Sequence, residues 1–440
     1  MPSSTVRAAW SGVNINALDA ADADALARIQ RAVRRSTDTA RLAARANSAR
    51  HPSLDGSDVA RGSGSGALSF YAGGAQWGAQ LSVGTTAESL SNDTQQGTLD
   101  GSYLAVLFAG TVAAVGATDR WWGPGQFTSP ILSTAARPLA GLIVRRAEDT
   151  APETAWLHWI GQWGYEVSAG RLTQYDPDGA RTIGLRLYTR PWPNVEIGAS
   201  RSILWAGQGR PSGLGTLRDA LLGRSNIDDP ALRGTDPSDE LAGLDLRVSA
   251  ADPWGGAWVG YLHLVGEDEA SGLPTKLFGT VGLQIKGVVD RQRLEATLEA
   301  TDTVPARLFG LGTHSTQSAA YVHGVYVDGY YQGGLPIGAN IGGGGYLTTL
   351  GAAWTPIDLA GQLRLAGTVF RGRVGSYGPP WLNASYGMPG ALSGFSLALD
   401  GETAAGIKWQ VGVSVQHYPG SDRPVTGLQA GIDVPIDAGR

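Results

Sequence analysis

The chain contains no cysteine, which removes disulfides, thiolate nucleophiles and cysteine-ligated zinc or iron–sulfur centres in one step. Charge is sparse too, at 17% of residues, and a formal net charge of −5 offers no global field to attract a polyanion. Nucleic acid is excluded as a partner on that ground. Long apolar runs are also missing. A membrane helix needs about 20 consecutive apolar residues, whereas the best stretch, Leu104 to Ala117, is shorter and is interrupted by Gly110, Thr111 and Gly116. It reads instead as two strands meeting near Gly110. The opening MPSSTVRAAWSGVNINAL lacks a basic segment followed by an apolar one, so no secretory leader is visible.

Glycine and aromatic residues are plentiful. The 64 glycines in 440 residues are roughly twice ordinary usage, yet they follow no G-X-Y period, and 14 Trp with 14 Tyr argue against a disordered chain. One block looks helical. Residues 19–50 are rich in Ala, Arg and Asp, with Asp19, Asp22 and Asp24 early and Arg28, Arg31, Arg34 and Arg35 later, as a helix dipole favours. Leu26, Ile29 and Val33 supply an apolar stripe. His51 to Gly66 reads as a Gly/Ser/Asp-rich connection, and from Leu68 onward the period changes from about 3.6 to 2.

The two-residue alternation is strongest at Ala405, Ile407, Trp409, Val411, Val413 and Val415, set against polar or small neighbours. It recurs at Leu277–Ile285, Leu294–Ala300, Leu363–Val369, Leu244–Val248 and Ile183–Leu187. About eighteen such segments can be drawn, many near 10 residues long, separated by turn residues such as Asp176 to Gly179, Asp252 to Gly256 and Asp400–Gly401. Two architectures satisfy the pattern: a soluble sandwich or propeller with its apolar face inside, and a membrane barrel with that face outside and a polar lumen. Strand length favours the barrel, because about 9 to 11 tilted residues cross hydrocarbon. Trp254, Trp258, Tyr261, Trp354 and Tyr418 near strand ends would form an aromatic girdle. No fixed 40-to-50-residue period supports a propeller.

The most unusual segment is Asp119-Arg120-Trp121-Trp122-Gly123-Pro124-Gly125, followed downstream by Ala136-Arg137-Pro138. By itself it reads either as a packed turn or as an aromatic, cationic ligand platform. Further on come RPWPNVEIGASRSILWAG at 190–207 with Arg201, the strand Gly243-Leu244-Asp245-Leu246-Arg247, an acidic strand end from Glu299 to Thr303, and Tyr321, His323, Tyr326, Asp328-Gly329-Tyr330, Gly334 and Ile337-Gly338. In this order the motifs resemble the Wzi family of capsule assembly proteins. The resemblance covers most of the chain, and extends to Val13-Asn14-Ile15-Asn16 before the Asp-led helix.

The resemblance implies an all-β fold: a monomeric outer-membrane antiparallel β-barrel of about 18 strands. A small α-helical periplasmic region, residues 1–66, would precede a transmembrane barrel at 67–440. It implies a lectin-like, non-catalytic role in which capsular polysaccharide is retained at the surface of a Gram-negative cell, with outer-membrane lipid as the other partner. A leader is then expected ahead of this sequence. Two departures stand out: Ala339 to Gly344 replaces the His and Asp that the family tends to carry after Ile-Gly, and the end DVPIDAGR lacks a terminal aromatic.

No HExxH, GxSxG, P-loop or GxGxxG-before-helix context is present, and Gly342 to Gly345 precedes a strand rather than a helix. His263, His323 and His417 lie in strand patterns, as wall histidines do. Tyr321, His323 and Asp328 could gather at a rim, but no nucleophile is positioned among them. No catalytic residue, metal or cofactor is assigned. Sugars are recognised by aromatic faces against pyranose rings and by amide, carboxylate and guanidinium groups on hydroxyls and acids. Strand parity makes 372–391 a surface loop, so its Arg373, Tyr377, Trp381, Asn383 and Tyr386 are the preferred polysaccharide contacts, with Arg120, Trp121 and Trp122 second. Asp119, Gly123, Pro124, Gly125, Arg137, Pro138, Arg201, Asp245, Arg247, Tyr321, His323, Asp328, Gly329 and Tyr330 are read as structural motif positions. The competing function is a porin-like diffusion channel through a polar lumen.

Overall fold

The computed structural model describes residues 40–48, 62–89, 93–222, 237–252, 256–270, 273–305, 309, 320–357, 363–375 and 388–436. Its strands are β1 (Ala40–Asn47), β2 (Gly62–Gly73), β3 (Trp77–Ser89), β4 (Gly97–Thr98), β5 (Tyr103–Phe108), β6 (Thr111–Ala117) and β7 (Ala140–Arg146). They continue with β8 (Gln162–Arg171), β9 (Arg181–Trp192), β10 (Val195–Trp205), β11 (Ser238–Ala251), β12 (Ala257–Ala270), β13 (Leu273–Val289) and β14 (Gln292–Asp302). A two-residue hairpin, β15 (Tyr331–Gln332) and β16 (Leu335–Pro336), precedes β17 (Tyr346–Pro356), β18 (Arg364–Val374), β19 (Gly390–Glu402), β20 (Lys408–His417) and β21 (Val425–Ile436).

Apart from the small hairpin, all of these belong to one 19-stranded antiparallel sheet; its two-residue member β4 only extends the ladder on β3 beyond β5, which leaves eighteen full strands. Each pairs with its sequence neighbour, and β1 bonds both β2 and β21, so the sheet closes on itself. Closure removes every open edge, which a strand in hydrocarbon could not leave unpaired.

The alternation expected from the sequence is present, and its sense is inverted relative to a soluble protein. Leu187, Leu244, Leu298, Leu350 and Val369 are exposed by 49–66%. Their neighbours Arg186, Asp245, Thr297, Glu299 and Thr349 are buried. Apolar side chains outside and polar ones inside suit lipid around the wall, and exclude a sandwich or propeller with an apolar interior. Among the described residues no helix is long and apolar enough to cross a membrane, which leaves a crossing by strands open. The segment Leu104–Ala117 forms the β5–β6 hairpin, turning at Ala109–Gly110.

Three sequence expectations change. The helical block drawn to residue 50 and the domain boundary at 66 are overtaken by β1, which pairs with β2 and β21 over 40–47, while β2 already begins at Gly62. Ala-Arg-Leu-Ala-Ala-Arg-Ala serves either period, and the ladder that closes the barrel decides for strand. Residues 1–39 lie outside the described part. Asp400–Gly401 is no turn: both residues belong to β19, and the Trp409 indole lies across Gly401, where a Cβ would stand 2.4 Å from the ring. Tyr261 and Tyr418 are not girdle residues, since both point inward and are buried, Tyr261 donating to Glu299 and Tyr418 to Gln416. A buried phenol needs such a partner.

The pairing Ala40↔Ile436 places both ends of the wall at one rim, the terminal end. Connections there include the tight turns 109–110, 193–194 and 290–291, whereas 118–139, 206–237 and 303–345 leave from the opposite rim, the loop end. Exposed aromatics gather at the terminal end: Trp77, Phe108, Trp156, Trp159, Trp192 and Trp354. Trp258 starts β12 at the same rim, and Trp254 is outside the described residues. On the outer wall near the loop end, the short helix α1 (Leu214–Leu221) covers Ile203 and Trp205.

Candidate functional site

Two connections from the loop end fold back into the lumen, and almost every motif read from the sequence lies in them or beneath them. In 118–139, Trp122 pairs with Leu132 as an isolated bridge and is 3% exposed. Its indole Nε1 donates to Glu166 Oε1 at 3.0 Å, and Arg120 stands 3.7 Å from the same carboxylate. Burial lowers the Arg120 pKa, against the support of Glu166. Gly123, at φ +98°, rests directly on His263: a Cβ there would lie 2.3 Å from Nδ1.

Just beyond Pro124 the chain turns around one carboxylate. Glu299, an inward residue of β14, accepts the N–H groups of Gln126 (2.6 Å), Phe127 (3.2 Å) and Thr128 (3.0 Å) and the Tyr261 hydroxyl (2.7 Å). Four donors converging on one buried anion make charge-assisted bonds that set the depth of the loop in the lumen. Further along, Arg137 grips Asp100 with Nε and Nη2 at 2.9 and 3.0 Å and reaches Asp93 and Gln95 with Nη1, tying 118–139 to 93–100. Burial opposes its charge, but those carboxylates raise its pKa overall. Pro138 precedes β7 in the same arm.

The second connection, 303–345, packs on the first through tyrosines. Tyr321 is fully buried; its N–H donates to Glu267 and its hydroxyl to Pro130 O at 2.5 Å while accepting Ala339 N–H. Tyr330 donates to Ile131 O and shares a hydrogen bond with Ser202 Oγ. Tyr175, from the 172–180 connection, donates to Gly329 O, and Asp328 accepts the Asp176 N–H at 2.7 Å. Burial raises the Asp328 pKa. His323 lies in irregular chain rather than a strand, and its Nδ1 accepts Val325 N–H at 3.2 Å. Tyr321, His323 and Asp328 thus each bond a different stretch of backbone: Pro130 and Ala339, Val325, and Asp176.

The wall motifs join strands to one another and to α1. Asp245 pairs not with Arg247, two residues along its own strand, but with Arg186 of β9, at 2.7 and 3.0 Å. The pair spans the intervening strand β10 at Gly198, where a Cβ would stand 2.4 Å from Asp245 Oδ2; this is the glycine of the Glu-Ile-Gly motif. Arg201 faces outward, bonding Glu240 and the Ala220 carbonyl beneath α1. Arg247 faces the lumen, half-buried. Below the folded-in loop, toward the terminal end, lies a cavity of about 300 Å³ lined by Gln126, Phe127, Gln284, Thr297, Arg364 and Asp400.

Of the polysaccharide contacts expected from sequence, Arg120 and Trp122 are built into the plug, and Trp121 beside them is half-buried. Arg373 is not on a loop at all: it belongs to β18 and faces outward from the wall. Tyr377, Trp381, Asn383 and Tyr386 lie outside the described residues. Sequence reasoning assigned no role to Glu166 and Arg186 and read His263 only as a wall histidine. The segments they meet are distant in the chain.

The family profile described as capsule assembly protein Wzi matches residues 35–418. A Klebsiella pneumoniae protein, known as an uncharacterized 55.8 kDa protein in the cps region, is 33% identical over 239 residues, 54% of this chain and 46% of its own. The aligned part thus spans about half the length of that relative. A solved Escherichia coli structure, described as Wzi, an outer membrane protein involved in group 1 capsule assembly and a carbohydrate binding β-barrel, superposes with a TM-score of 0.81. It is 27% identical, and the match covers 95% of this chain and 89% of that one. With the profile running from before β1 to the end of β20, through both folded-in loops, the chain belongs to the Wzi family of capsule assembly proteins.

Proposed function

We propose that this barrel sits in the outer membrane as a monomer, with its loop end toward the exterior, and holds capsular polysaccharide at the cell surface without catalysing a reaction. The observation that carries the reading is the plug. Two loops from one rim fill the lumen with buried hydrogen bonds and turn that rim into a fixed platform, as binding requires and free diffusion does not. Family membership and the likeness to a carbohydrate-binding barrel support it.

The proposed contacts are Tyr377, Trp381, Asn383 and Tyr386, between β18 and β19 in the sequence, because aromatic rings stack on pyranose faces. Trp381→Ala combined with Tyr377→Ala should raise released polysaccharide about threefold or more while the barrel keeps its heat-modifiable migration. Cell-bound and released polymer, measured in a deletion strain complemented with each variant, is the test. Retention equal to wild type would remove this loop from the proposal; a deletion strain that retains all its polymer would remove the function.

A further inference from the structure

Along β18 the side chains alternate without interruption: Arg364 and Thr368 line the lumen and Phe370 and Val374 are buried, while Val369, Arg371 and Arg373 face outward and are exposed. Arg371 stands in register with Thr348 and Ser393, and Arg373 with Tyr346 and Ala391, so no carboxylate is opposite either one. Among the described residues neither side chain makes a hydrogen bond or ion pair. This sets them apart from most of the wall's other arginines. Arg41, Arg186, Arg201, Arg293 and Arg364 each have an acidic partner.

Position makes the lack of a partner informative. Immediately toward mid-barrel, Leu350, Val369 and Phe395 are exposed by 46–60% and belong to the apolar belt. The two guanidinium groups thus mark the upper edge of that belt at the loop end, two residues apart on one face, where their stems can lie on apolar surface and their heads reach the headgroup layer. Two like charges side by side repel each other and together favour a bridging anion, and the arginine fork matches phosphate oxygens.

We propose that Arg371 and Arg373 form a site on the outer wall for the phosphate groups of an acidic membrane lipid in the leaflet at the loop end. The assignment rests on the lipid-embedded reading of the barrel and not on its role toward polysaccharide. It also gives Arg373 a ligand different from the polymer expected from sequence.

The test uses the full chain purified in detergent, with Arg371→Ala/Arg373→Ala and Arg371→Lys/Arg373→Lys as variants and heat-modifiable migration as the check on folding. The probes are a diphosphorylated acyl-disaccharide lipid, the same lipid stripped of phosphate, and inorganic phosphate. Wild type should bind the phosphorylated lipid about ten-fold or more tightly than the double alanine variant, with the lysine variant between them and the stripped lipid indifferent to all three. Equal binding of the phosphorylated lipid by wild type and the alanine variant would overturn the proposal. Inorganic phosphate binding as well as the lipid would make this a free-anion site. Loss of cell-bound polysaccharide with lipid binding unchanged would hand the patch to the polymer; either result overturns the lipid assignment.

Discussion

Gly123 and Glu299 show how single residues hold the plug. Gly123 combines a left-handed backbone, φ +98°, with contact against His263, so Gly123→Ala adds backbone strain to a steric clash. The expected cost is about 1–3 kcal/mol. Denaturant midpoints in detergent measure it, and His263→Ala in the Gly123→Ala background should recover part of the loss; no recovery would mean that the ring is not what a Cβ meets. Glu299→Gln keeps the shape but leaves one acceptor oxygen and no charge for four donors, and is expected to cost about 1–3 kcal/mol, with Tyr261→Phe nearer 1 kcal/mol. Proteolytic nicking confined to 118–139 in Glu299→Gln would locate the loss in the loop, and a variant as protease-resistant as wild type would refute this role. The sequence marked Gly123 as a tight turn and Glu299 as a strand-end acid. Their partners could not be read there, because His263 and Glu299 lie more than a hundred residues beyond the loop they hold.

Among the elements, the connection 147–161 is unlike its neighbours at the terminal end. It carries a short 3₁₀ segment, Ala155–Ile160, with no buried residue and with Trp156 and Trp159 exposed by 73% and 70%. The segment is nonetheless tied down. Thr189 bonds the Ile160 carbonyl, Gly161 bridges Arg190, Tyr188 donates to Asp149, and Arg146 bonds the Thr150 and Trp163 carbonyls. Exposed rings on a pinned backbone, at the same rim as the exposed Trp192, suit the interface between headgroups and acyl chains. Trp156→Phe/Trp159→Phe should therefore reduce the fraction of fluorescence quenched by lipids brominated near the headgroup, and an unchanged fraction would place the segment off the bilayer. Elements were legible to the extent that their period was unambiguous. β13, β14 and β18 follow directly from alternation, but β1 did not, because Ala and Arg at 40–46 fit a helix or a strand and only the ladders to β2 and β21 select between them.

For the molecule as a whole, the filled lumen bears on the channel alternative. Conduction needs a continuous aqueous path, whereas the cavity lined by Gln126 and Phe127 ends against loop 118–139 and lies on the terminal side of the plug. Intact protein in planar bilayers is expected to be silent, and a variant with 320–340 shortened should conduct; steady current from the intact chain would bring the channel back. Alternation and strand length alone determined that this is an all-β chain with one apolar face, because side-chain direction in a strand follows from local backbone geometry. The order of motifs placed it in a family. Which face meets lipid, that the wall begins at Ala40, that Arg373 leaves the loop for the wall, and that Trp122 is a buried anchor were decided only by the tertiary structure. Each depends on ring closure and on contacts between segments distant in the chain, and neither leaves a mark on the local period.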